Sequence, residues 1–288
     1  MKTKLLFFIM LLLFVAMKSD KSAYEIYNAK GKETDYSKIL NDAKNADIIL
    51  FGELHNNPIC HWLQYELTKD VHKVVKSNLV LGAEMFEADN QILLDEYTSQ
   101  KISGKNFESQ ARLWNNYKTD YRPLVDLANK NKLKFVASNI PRRYASIVSK
   151  KGFEGLDELS DEAKKYIAPL PIKYSPELPC YKKMLSMSAM MGKKPNLNFP
   201  KAQAIKDATM AYFILKNWEK GLTFLHFNGT YHSNNYEGIV WYLKQENPDL
   251  IILTIASVQQ KDIEKLDDDS KNLADYIICI PESMTGTY

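Results

Sequence analysis

The chain has 288 residues, 45% of them apolar and 25% charged, with 38 Lys+Arg against 35 Asp+Glu. This is the composition of a globular protein, not of a disordered or collagen-like chain. A formal charge of +3 is too small for a protein that tracks nucleic-acid phosphates, so a nucleic-acid partner is excluded. Three scattered cysteines, Cys60, Cys180 and Cys279, exclude a disulfide framework and a thiolate zinc site.

Residues 1–17 begin with Lys2 and Lys4 and continue as an unbroken apolar run from Leu5 to Met17. The run is too short for a membrane span, which needs about 20 residues. It has the form of a secretory signal peptide, and residues 1–22 are expected to be removed on export, leaving one domain over 23–288; the alternative is an uncleaved anchor helix, with the folded part exported either way. No Cys follows the run, so a lipoprotein anchor is not supported and the protein is expected in the periplasm or at the cell surface. Residues 1–22 carry four Lys and one Asp, so their loss would leave the mature chain neutral.

Asp47–Gly52 reads as a buried strand ending in a turn, and Asn57-Pro58 opens a helix to about Lys76. Leu79–Ala83 is a second strand, followed by a helix over 90–97 and a broken helical stretch over 107–131. Lys134–Ala137 is a third strand, with a helix from Arg142. Residues 152–200 hold six of the eleven prolines and the cluster Met184, Met187, Met190 and Met191, which reads as an inserted helical lobe. A long helix over 201–220, a strand over 222–227, a helix over 238–246 and strands over 250–257 and 276–280 complete the chain. Alternation of this kind predicts an α/β fold: a mostly parallel sheet flanked by helices, with an inserted helical lobe.

Ligands collect at the carboxyl ends of strands in such sheets. The first strand ends in Glu53 and His55, with His61 one helical turn on. The second ends in Glu84 and Glu87, and the third in Ser138 and Asn139, just before Arg142 and Arg143. The later strand carries His226, then Gly229-Thr-Tyr-His232. Four of the five histidines therefore fall on one rim. Glu53, Glu84 and His226 can hold a divalent metal, since mixed carboxylate and imidazole sets suit Zn, Mn or Fe. Equally, Glu53, His55, Glu84, His226 and His232 can act as acid and base without metal, or form a structural polar network.

The ordered set Gly52-Glu-Leu-His-Asn-Asn-Pro58 with His61 and Gln64, Glu84-Met-Phe86 with Gln91 and Asp95, Trp114, Tyr121-Arg-Pro123, Ala137-Ser-Asn-Ile-Pro141, Gln203 with Asp207 and Met210-Ala211, His226 and Gly238-Ile239 resembles the ChaN family of iron-regulated haem-binding proteins. That family lies in a Tiki/TraB/erythromycin-esterase superfamily, marked by two Gly-x-x-His motifs with Glu and Arg. Here these would be Gly52 to His55, Gly229 to His232, Glu84, and Arg142 or Arg143. The chain departs from many relatives in lacking a lipoprotein Cys and in reading Glu-Leu-His-Asn-Asn where many have a more polar Glu-x-His-Asp-Asn, and the 152–200 lobe aligns with no motif.

The resemblance implies haem as cofactor, a Tyr phenolate as iron ligand, haem held between two subunits of a homodimer, and delivery through outer-membrane haem transport machinery. A hard, anionic phenolate suits ferric haem. Of 17 Tyr, Tyr144 is the first candidate, because Arg142 and Arg143 beside it can meet haem propionates. Tyr181 is the second, with the Met cluster as an apolar wall. The resemblance equally admits a metal-dependent hydrolase working through the Glu/His rim.

Overall fold

A computed structural model describes residues 21–190 and 196–288. The apolar leader, apart from Lys21 and Ser22, and Met191 lie outside the described residues, as do the side chains of Met187 and Met190.

Seven strands form one sheet in the order β1-β7-β6-β2-β5-β3-β4. They are β1 (Glu25–Asn28), β2 (Ile48–Glu53), β3 (Leu79–Glu87), β4 (Lys134–Asn139), β5 (Thr223–Gly229), β6 (Ile252–Gln260) and β7 (Tyr276–Pro281). Only β1 runs antiparallel, at one edge against β7. The central strands β2 and β5 are buried along their whole length, which is why they read as apolar runs and not as alternating ones. The chain runs outward from β2 to β3 and β4, then returns to insert β5 between β2 and β3. That reversal puts a crevice over the carboxyl ends of β2, β5 and β3.

Helices cover both faces. On one lie α1 (Tyr36–Ala43), α2 (Pro58–Val75), α3 (Gln91–Thr98), α4 (Gly104–Gln110) and α5 (Arg122–Asn131). Ile49, Phe51, Leu81 and Phe227 of the strands meet Leu63, Leu67, Leu94 and Phe107 there. Each such fully buried side chain contributes about 1.5–3 kcal/mol. On the other face, the side chains of Leu50, Val80 and Phe224 pack on α9 (Asn198–Asn217) and α10 (Ile239–Glu246) through Ala211, Ile214 and Leu243. Between β4 and α9 the chain forms α6 (Arg142–Lys151), the single-turn α7 (Asp161–Lys164) and α8 (Pro179–Met190). No strand occurs among the described residues of 152–197.

Several boundaries differ from expectation. β3 runs on to Glu87, so Glu84 belongs to the strand and not to the loop after it. α9 ends at Asn217 because Trp218 turns extended, and Gly221 with φ +99° then redirects the chain. β1 and α1 were not signalled: four residues at a sheet edge carry too little pattern to stand out from a loop. All three cysteines are free and buried. No helix among the described residues is long and apolar enough to cross a membrane.

Candidate functional site

Two polar clusters reach the crevice from opposite faces of the sheet. The first is built on Glu53, the last residue of β2. Its side chain follows Ile49 and Phe51 toward the α2 face and is fully buried. Tyr121 Oη donates to Glu53 Oε1 at 2.6 Å, Gln64 Nε2 donates to Oε2 at 2.6 Å, and His55 Nδ1 lies 2.9 Å from Oε1. Gln64 is available because Asn57 caps α2, accepting from the backbone N–H of Ile59 at 3.0 Å, and Pro58 occupies its first turn. Burial pushes the Tyr121 hydroxyl up, and the adjacent Glu53 charge reinforces this, so the phenol stays a donor.

His61 is buried one turn into α2. Its Nδ1 meets Gln64 Oε1 at 3.1 Å and its Nε2 meets the His55 carbonyl at 3.1 Å. Asn116 Nδ2 donates to that carbonyl and to Asp120 Oδ2, both at 2.7 Å. His61 therefore fixes the loop that presents His55. His55 itself keeps 37% of its side chain exposed, with the Trp114 ring 4.9 Å away.

The second cluster lies on the α9 face. Glu84 Oε2 accepts from the Gly229 N–H at 2.8 Å, and Oε1 lies 3.2 Å from His232 Nε2. His232 Nδ1 is 2.5 Å from Asp207 Oδ1, and Tyr181 Oη donates to Asp207 Oδ2 at 2.9 Å. Burial alone would discharge His232, but Glu84 and Asp207 on either side outweigh it and raise its pKa to about 10. The imidazolium in turn holds Glu84 well below the usual carboxylate range despite its burial.

The clusters meet at Gly229. A Cβ there would come within 2.8 Å of His55 Nε2 and 3.5 Å of Glu84 Oε2, so the missing side chain is what lets His55 reach over β5. Burial works against charge on His55, yet its hydrogen bond to Glu53 and the nearby Glu84 raise its pKa overall. The result is one half-exposed imidazole backed by buried carboxylates, an arrangement fitted to accept and return a proton. Asn116 Oδ1 and Asn139 Oδ1 are the buried side-chain oxygens left unpartnered among the described residues.

Three expected roles change. His226 is not on the rim: it pairs with Leu50 and Gly82 in mid-sheet, fully buried. Its ring contacts Ser138 Oγ at 2.7 Å and Asn228 Oδ1 at 3.1 Å, and burial lowers its pKa to about 4. With both nitrogens engaged, it is neither the acid–base group nor the metal ligand expected beside Glu53 and Glu84. Among the described residues, no group of three or more His, Cys, Asp or Glu is placed to hold a metal ion. Tyr181 does not suit an iron ligand, because its buried hydroxyl donates to Asp207 and is pushed far up by burial.

Tyr144, in the first turn of α6, has the Arg143 guanidinium 4.4 Å above its ring, and Arg143 Nη2 donates to its hydroxyl at 3.2 Å. Arg143 is anchored in turn by Asp89 at 2.7 Å, and Asp89 also pairs with Arg112. Arg142 is exposed beside it. Tyr144 thus offers a phenol oxygen already held by a cationic donor, and a tyrosine oxygen is a ligand type that suits ferric haem. Tyr144 is otherwise packed against Val148 and Leu156 and is 8% exposed.

Gln64, Tyr121 and Asp207 stand in the motifs that carry the resemblance but, like Asn116 and Asp120, were not expected as site residues. Gln203 and Asp207, four apart on α9, share a helix face, and Gln203 Nε2 lies 3.0 Å from His232. That spacing was the available signal.

The fold and site define a parallel α/β protein with a His/Glu crevice at the strand ends. The chain belongs to the family described as haem-binding uptake, Tiki superfamily, ChaN, which matches residues 39–243. Among solved structures it is similar to "Cofacial heme binding to ChaN of Campylobacter jejuni" at 18% identity and a TM-score of 0.67, covering 90% of this chain and 98% of that one. An erythromycin esterase mutant in its open conformation shares the fold at 9% identity and a TM-score of 0.52, covering 92% of this chain and 98% of that one. No curated protein matches the sequence.

Proposed function

We propose that this chain is an exported haem-binding protein of the cell envelope, serving haem or iron acquisition, with Tyr144 as the iron ligand. The observation that carries the reading is the family match over 39–243, joined to a phenol already held by a guanidinium. Arg143 holds the Tyr144 hydroxyl in place, and exposed Arg142 is free to meet a propionate. The C. jejuni relative, described as binding haem cofacially, supports a homodimer, and the expected signal peptide supports hand-over from an outer-membrane haem transporter. Haemin titration followed by absorption and size-exclusion chromatography tests this. A saturable Soret shift in the wild type, at least tenfold weaker in Tyr144→Phe, is the expected result. A shift unchanged in Tyr144→Phe removes Tyr144 from the role, and no shift at all sinks the haem reading.

One observation favours a second activity at a separate place. His55 is half-exposed while Glu53, Glu84, His232 and Asp207 behind it are buried. This supports a hydrolase in which His55 takes a proton from water attacking an ester or amide, oriented by Glu53, with Glu84 and His232 fixing the local field. Turnover of activated esters that vanishes in His55→Ala and in Glu53→Gln, while haemin binding persists, is the expected pattern. Equal turnover in wild type and His55→Ala rules it out.

A further inference from the structure

The proline-rich stretch after α7 forms one wall of a cavity that neither reading uses. Residues 168–173 face α9 and α10 across a groove of about 670 Å³. That lies within the ~300–1,000 Å³ of small-molecule sites. Its floor is deep because three alanines, Ala168, Ala208 and Ala211, line it where longer side chains would fill it. Leu170, Ile172, Tyr212 and Leu215 make half-buried apolar walls. Ala208, Ala211, Tyr212 and Leu215 occupy one face of α9 and line the groove, whereas Gln203 and Asp207 contact His232 and do not line it.

The wall is preformed. The Ala168 N–H donates to Thr209 Oγ1 at 3.2 Å, and Tyr242 Oη donates to the Lys173 carbonyl at 2.8 Å, tying both ends of the loop to the helices. Pro169 and Pro171 fix φ in between, which lowers the ordering cost of binding.

The mouth carries two lysines and one carboxylate. Lys173 is neutralised by Glu246 at 2.8 Å. Lys216 lies over the rings of Tyr212 and Phe213, 5.5 and 5.6 Å from their centroids, and pairs with no carboxylate among the described residues. A single unpaired ammonium beside an aliphatic slot is complementary to one anionic head on an apolar chain. A phosphate monoester carries about −1.5 to −2 charges at neutral pH, which one ammonium leaves uncompensated, whereas the single charge of a carboxylate is matched. We propose that this groove binds a long-chain monocarboxylate, with its acyl chain over Ala208 and Ala211 and its carboxylate at Lys216.

Fluorescence titration of the full chain with dansyl-labelled undecanoate, competed by decanoate or by decanol, tests this. Saturable binding is expected, displaced better by decanoate than by decanol. Lys216→Glu should weaken decanoate about tenfold through charge reversal and leave decanol nearly unchanged. Ala211→Trp should abolish probe binding by filling the floor. Leu215→Trp, on the half-buried wall, does the same if the first variant fails to fold. Haemin absorption titrations on these variants should match the wild type. Four results would each overturn the proposal: no saturable binding, decanol competing as well as decanoate, Lys216→Glu leaving decanoate affinity intact, or haemin displacing the probe one for one. Failure of haemin to bind the wild type would remove the haem reading alone.

Discussion

His226 and His232 stand six residues apart and are held in opposite charge states. His226 lies among strand side chains with only neutral partners, so burial lowers its pKa from 6.5 to about 4. His232 is as buried but lies between two carboxylates, which raise its pKa from 6.5 to about 10. The linkage follows in sign. Below pH 6.5 the unfolded chain protonates His226 while the folded one refuses, so stability falls as pH drops toward about 4. The His232 contribution is complete below pH 6.5 and is lost as pH rises toward about 10. Melting temperature against pH should therefore peak near neutrality, and His226→Gln should flatten the acid arm while leaving the alkaline arm in place. An unchanged acid arm would assign it to other groups. Glu53→Gln should cost about 2 kcal/mol in urea unfolding, because an amide cannot accept from Tyr121, Gln64 and His55 together. In the same variant the His55 pKa, read by NMR, should fall, since its hydrogen-bonded carboxylate is gone.

At the scale of elements, two glycines at strand ends do different work. A Cβ on Gly52 would lie 2.8 Å from Thr230 Cα and 2.9 Å from the Ile255 carbonyl oxygen, both backbone atoms of the neighbouring β5 and β6 segments. Neither can move without opening the sheet, so Gly52→Ala should lose about 2 kcal/mol or more. A Cβ on Gly229 meets the tip of the His55 ring, which can swing toward solvent. Gly229→Ala should therefore keep most of its stability and displace His55, seen as a shifted imidazole resonance. Equal stability loss in the two variants would contradict this account. The same packing explains which elements were readable. β2 and β5 are apolar throughout because helices cover both sides, whereas β1 is too short to show a period. β3 was cut short because Glu84 and Glu87 read as loop, although tertiary partners bury Glu84 inside the strand.

At the scale of the whole molecule, charge balance and the proposed export belong together. If residues 1–22 are removed, the neutral mature chain has no long-range field, and recognition depends on local groups such as Arg142, His55 and Lys216. Mass spectrometry of the protein recovered from the cell envelope should show the loss of about 22 N-terminal residues. A full-length mass there would point to an uncleaved anchor. Because the three cysteines are free and buried, stability should be insensitive to reducing agents.

The alternation of strand and helix was legible along the chain, and with it a mostly parallel sheet whose crevice lies at the strand ends. The sequence also put Glu53, His55 and His232 near those ends, whereas Glu84 reached the crevice from within β3. Only the tertiary structure decided depth and partnership. Sequence order put His226 beside the rim, whereas the β5 register sinks it in mid-sheet. Tyr181 and Tyr144 look alike along the chain, yet one hydroxyl donates to buried Asp207 and the other accepts from Arg143. Asp207 reaches His232 from 25 residues away only because α9 packs across the sheet. Charge state and ligand capacity follow from desolvation and from which groups lie within hydrogen-bond reach, and both are set by the packing of distant segments.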